Sequence, residues 1–133
     1  MTESKVLSLY TAWRRADLMF YYWDVSPNKL PTHATWLYSP AGTSLCLAYA
    51  LLFVVLEGFD FGKSVPDSIN DDVKSIYQNL KSFRDAVFHV QNEVLPKKLQ
   101  KIMGQKDSVK KVEHIHHEIG KHISALAGIP FPE

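Results

Sequence analysis

Apolar residues recur at helical spacing in three stretches of this chain and run almost without interruption through a fourth. Between Glu3 and Trp23, the positions Val6, Leu9, Trp13, Ala16, Phe20 and Trp23 advance by threes and fours. That step keeps side chains on one face of an α-helix, and Arg14, Arg15 and Asp17 fall mostly off it. A second helix is predicted from about Thr43 to Glu57, apolar nearly all round and therefore central among its neighbours. The third pattern is the clearest. Ile69, Val73, Ile76, Leu80, Phe83, Val87, Val90 and Val94 alternate steps of four and three, a near-heptad stripe suited to bundle packing. It predicts the longest uninterrupted helix of the chain, capped by Asp67 or Ser68 and broken or kinked by Pro96. Asn92 is a candidate cap for a short further helix to Met103, closed by Gly104. The last helix starts near Asp107 or Ser108 and ends near Gly128, with Val109, Val112, His116, Ile119, Ile123 and Leu126 as its stripe.

Proline and glycine punctuate these elements. The segment from Asp24 to Gly42 holds Pro27, Pro31, Pro40 and Gly42 and reads as an extended connection, with Trp36, Leu37 and Tyr38 packing part of it onto the bundle. Gly58, Gly62 and Pro66 end the second helix. No strand pattern, internal repeat or low-complexity tract is present. The predicted fold is all-α, a four- to five-helix antiparallel, up-and-down bundle forming a single domain over residues 1–133.

Composition narrows the class. The 133 residues fit one domain, and 46% hydrophobic with 22% charged residues is near the globular average, which argues against disorder. Cys46 is the single cysteine, so no internal disulfide framework exists and a reducing compartment is expected. The opening Met1-Thr2-Glu3-Ser4-Lys5 lacks the layout of a signal peptide, and the apolar run from Leu45 to Leu56 is too short for a bilayer. The expected location is cytoplasmic, with no membrane partner. The net charge of +1 says little, but Lys97, Lys98, Lys101, Lys106, Lys110 and Lys111 gather with only Asp107 among them. This cluster reads first as a solvated helix-loop-helix corner; Lys97, Lys98 and Lys101 are the candidates if it is a phosphate-contacting surface.

One short run carries chemistry: Arg84-Asp85-Ala86-Val87-Phe88-His89. Histidine titrates near neutrality and can act as general base or acid. Arginine offers a rigid fork of donors to a phosphate and to the charge of its transition state. Asp85 could orient either. These residue types suit RNA cleavage, which needs no metal because the ribose 2′-hydroxyl supplies the nucleophile. Five positions rotate by about 140° on an ideal helix, so Arg84 and His89 do not share a face. They converge only if the helix ends or distorts between them, or if a second copy packs alongside at a two-fold interface. The plainer reading gives Arg84 a surface ion pair and leaves His89 on the solvated face.

The string Phe83-Arg84-Asp85-Ala86-Val87-Phe88-His89 resembles the Arg-x4-6-His motif of the HEPN superfamily, the higher-eukaryote and prokaryote nucleotide-binding domains, in its small bacterial members. Val55-Leu56-Glu57-Gly58-Phe59 is similar to the acidic end of an earlier helix in some of them. The resemblance covers roughly Leu45 to Val94. It implies a helical bundle that dimerises through the motif region. Many members are metal-independent endoribonucleases of toxin–antitoxin, phage-defence or RNA-processing systems; others are inactive binding or accessory domains. Carried onto this chain, Arg84 would hold the scissile phosphate, His89 would move protons, Asp85 would assist, and Glu57 would face the motif. The implied partners are a second copy, RNA, and an antitoxin or other protein. The competing reading is a catalytically silent helical binding module.

Glu113-His114-Ile115-His116-His117-Glu118 invites a metal reading, since Glu113 and His116 stand at the i, i+3 spacing of di-metal bundles. Such a site needs a second Glu-x-x-His and two further glutamates, and no second Glu-x-x-His exists here. No metal or cofactor is therefore expected. His116 falls on the apolar stripe and reads as a hydrogen-bonded core histidine, whereas His114, His117 and His122 read as surface residues and His33 as a lone loop residue. Cys46 lies in an apolar helix without an evident base, and Trp13, Phe20, Tyr21, Tyr22 and Trp23 read as core or interface rather than a base-stacking platform.

Overall fold

A computed structural model describes residues 1–27, 36, 38–59, 65–89 and 106–131. Among them the fold is all-α, with four α-helices: α1 (Glu3–Asp24), α2 (Pro40–Gly58), α3 (Asn70–Phe88) and α4 (Lys106–Ala127). The expected short helix to Met103, Lys97, Lys98, Lys101, His33, and the stripe positions Val90 and Val94 lie outside the described residues.

Local chemistry explains most boundaries. Thr2 caps α1, its hydroxyl accepting from the backbone N–H of Lys5 at 3.2 Å. Helix α2 starts three residues before the predicted Thr43. Pro40 occupies its first turn, where a missing N–H costs nothing, and Ser39 caps it by accepting from Gly42 N–H at 3.2 Å. Neither Asp67 nor Ser68 caps α3; Asp67–Ile69 form a 3-10 turn that leads into it. Asp71 and Asp72 then sit in the first turn of α3, where the helix dipole favours negative charge. Helix α4 closes on Gly128, which has φ of +67°, with Ile129 N–H bonded to Ser124 O at 3.0 Å. That left-handed residue is the usual helix stop.

α3 is not the longest element. It has 19 residues, against 22 each for α1 and α4, because the chain leaves the helix at His89 (φ −126°, ψ 140°). The preceding Ala-Val-Phe-His run holds three weak helix formers, and Phe88 is exposed, so little packing opposes the exit.

α2 is the core helix. Leu45, Ala48, Tyr49, Leu52, Phe53, Val55 and Leu56 are all buried, against α1 on one side and α3 on the other. At 19 residues it is, among the described residues, the helix long and apolar enough to cross a membrane, longer than the Leu45–Leu56 run implied. The neighbouring helices cover most of its surface, as a core helix requires. The α1 stripe predicted from spacing is buried in full. On α4 the stripe holds from Val109 to Ile123, but Leu126 is exposed and Ile115 is buried instead. α4 packs mainly on α1, and only lightly on α3.

Candidate functional site

The C-terminal turns of α2 and α3 meet around Arg84. On α2, Phe53 and Glu57 are four residues apart, and on α3, Tyr77 and Arg84 are seven apart, so each pair shares a helix face. Arg84 Nη1 donates to Glu57 Oε1 at 2.8 Å. Its Nε donates to Asp85 Oδ1 at 3.0 Å, and Nη2 lies 3.0 Å from the same oxygen. The guanidinium carbon sits 4.7 Å from the centre of the Phe53 ring, a cation–π contact. Phe53 in turn meets Tyr77 with ring centroids 5.0 Å apart.

The electrostatics follow from this arrangement. Loss of solvent pulls the Arg84 guanidinium down, but the hydrogen bonds to Asp85 and Glu57 outweigh it and hold the group above its ordinary value. The nearby Tyr77 phenol is pushed up by loss of solvent and by the Glu57 carboxylate, with Arg84 opposing. Arg84 is therefore a fixed positive charge. Its side chain is 26% exposed, with Glu57 at 37% and Asp85 at 45%, so the cluster is reachable from solvent. At most three of the guanidinium's five N–H donors point to these carboxylates, which leaves two for another acceptor.

Sequence reasoning placed Arg84, Asp85 and Glu57 together, and the structure brings these three into contact. His89 is joined to them through the backbone, its N–H donating to Asp85 O at 3.1 Å. It is exposed and stands just past the end of α3, so the rotation of an ideal helix no longer sets its direction relative to Arg84. Phe53 and Tyr77 were missed. The signal was available in their i, i+4 and i, i+7 spacing to Glu57 and Arg84. Arg84 lies off the predicted apolar stripe of α3, and its side chain is half-buried against Phe53.

The histidine-rich stretch on α4 divides as its stripe implied. His116 is a core residue, its Nε2 2.9 Å from Asp17 Oδ1, while His114 and His117 are exposed. His122 is half-buried, its ring 5.9 Å from that of Phe59. Among the described residues no three His, Cys, Asp or Glu side chains are grouped as a metal site. Burial pushes the Cys46 thiol up to about 12, which keeps it in the unreactive protonated form. Compared with family models, with curated proteins and with solved structures, the chain finds no match in any of the three.

Proposed function

We propose that this chain is a HEPN-like, metal-independent endoribonuclease whose active site is completed by a second copy across a two-fold axis. The observation that carries the reading is the Glu57–Arg84–Asp85 cluster with His89 released from the helix beside it. Arg84 presents a fixed, partly exposed fork with donors to spare, which suits a phosphodiester and its pentavalent transition state. His89 is solvent-exposed, as a proton-transfer group must be. In-line attack of a 2′-hydroxyl needs one group to take a proton and another to give one to the leaving 5′-oxygen. The Arg84–His89 run carries a single histidine; a two-fold partner supplies the other.

A second reading has its own support. Arg84 is already bonded to two carboxylates of its own chain, which makes it a fastener between α2 and α3. In that case the chain is a catalytically silent binding module. Assembly and activity separate the two. Light scattering at micromolar concentration should report a dimer, and incubation with mixed RNA in excess chelator should give cleavage. A strictly monomeric chain, or a dimer that leaves RNA intact, would favour the silent module.

A further inference from the structure

Helix α3 carries a second pattern beside its core stripe. Lys74 follows Val73, Tyr77 follows Ile76, Lys81 follows Leu80, Arg84 follows Phe83 and Phe88 follows Val87. Steps of three and four keep these residues on one face, about 100° round from the stripe. That face lies toward α2, since Tyr77 and Arg84 both meet Phe53. Lys74 and Lys81 are exposed, and among the described residues neither has an ion-pair or hydrogen-bond partner. They stand about 10 Å apart along the helix. Phe88 is 50% exposed, a large apolar ring held in water beside His89.

The acids nearby are engaged or set apart. No acid stands between Asp72 and Asp85 on α3. Asp72 faces Lys111 of α4 at 3.7 Å, and Asp71 sits in the first helical turn. Glu57 and Asp85 are both bonded to Arg84. The face therefore presents two uncommitted ammonium groups in line, then the Arg84 fork, then an open aromatic ring.

We propose that this ridge is a binding track for single-stranded RNA, leading the strand to Arg84 and His89. Lys74 and Lys81 contact successive stretches of the phosphate backbone, which positions the strand without reading its sequence. Phe88 stacks on a base next to the phosphate held by Arg84. A base can be stacked in this way only when it is unpaired, which selects a single strand over a duplex. The choice of RNA rests on the endoribonuclease reading; the choice of a single strand rests on the ridge itself. One exposed apolar ring is too little to seat this face in a bilayer.

Fluorescence anisotropy of a labelled, unstructured RNA of about 12 nucleotides, within the size range of single-strand sites, tests the ridge. The full chain is used with His89→Ala throughout, so that the strand stays intact, in excess chelator and over a salt series around 150 mM. Adding Lys74→Ala and Lys81→Ala should weaken binding by about tenfold and lower the slope of log affinity against log salt by about 0.7 for each lysine. Adding Phe88→Ala should weaken binding by about fivefold or more and leave the slope unchanged. These side chains are exposed, so each variant should keep its parent's melting temperature. Lys121→Ala, on a helix α4 residue that lines a cavity of about 750 Å³ between α1 and α4, should change nothing. A duplex of the same sequence should bind more weakly than the single strand. Affinity and salt slope untouched by the lysine changes would overturn the proposal, as would full affinity in Phe88→Ala, a duplex bound as tightly, or no binding. Ridge-dependent binding by a wild-type chain that cleaves nothing would support the track and remove the endoribonuclease reading. Cleavage by chains with and without the ridge residues at equal rate and affinity would do the reverse.

Discussion

The indole of Trp13 fills the space that a Cβ on Gly120 would occupy. A methyl group there would overlap the Trp13 ring, whose Nε1 donates to His116 O at 2.8 Å one turn earlier on α4. The glycine lets α1 and α4 approach closely enough to bury that ring and to satisfy its N–H at once. A buried indole N–H without an acceptor would be costly.

Gly120→Ala is therefore expected to destabilise the fold by about 1–3 kcal/mol, the usual cost of overpacking a rigid core, despite alanine's better helix propensity. Urea unfolding followed by tryptophan fluorescence checks it. A variant as stable as wild type would mean that Trp13 has room to move.

His116 makes stability depend on pH in a definite direction. Burial, opposed by the Asp17 hydrogen bond, leaves its folded-state pKa below the ordinary value of about 6.5. Between those two values the unfolded chain binds a proton that the folded chain does not. Its contribution is complete above about pH 6.5 and declines as pH falls from there toward the folded value, by at most about 1.4 kcal/mol per pH unit. Urea midpoints should fall between pH 7.5 and 5.5, and His116→Gln should flatten that slope. An unchanged slope in the variant would assign the dependence to other groups.

Arg84 and Glu57 should be coupled. Arg84→Ala and Glu57→Gln are each expected to lower the melting temperature modestly, since the pair is partly exposed. The double variant should lose less than the sum of the two, because each single change already breaks the 2.8 Å contact. Strict additivity in thermal melts would mean that the contact contributes nothing to the fold.

Much of this was legible in the sequence because burial follows helical spacing. Val6 to Trp23 on α1 and Val109 to Ile123 on α4 went to the interior as their steps of three and four require. Glu57 and Arg84 lie 27 positions apart, and their pairing depends on how α2 and α3 dock, which spacing alone does not encode. The family resemblance suggested that contact. What stayed illegible was set by tertiary context. The end of α3 at Phe88 follows from weak local propensity and exposure rather than from proline or glycine. The α1–α4 cavity arises from where Trp13, His116 and Phe131 meet, and Asp17, off the apolar stripe, gave no sign that it backs His116.

Cleavage of a mixed RNA pool by the purified chain, in excess chelator and beside its His89→Ala variant, tests the central claim most directly. The account predicts fragments ending in a cyclic phosphate, because a ribose hydroxyl is the nucleophile, and survival of activity in chelator. His89→Ala should reduce cleavage by about a hundredfold or more while RNA binding persists, and Arg84→Ala should impair both. Equal cleavage by wild type and His89→Ala, or RNA left intact by a wild-type dimer, would contradict it.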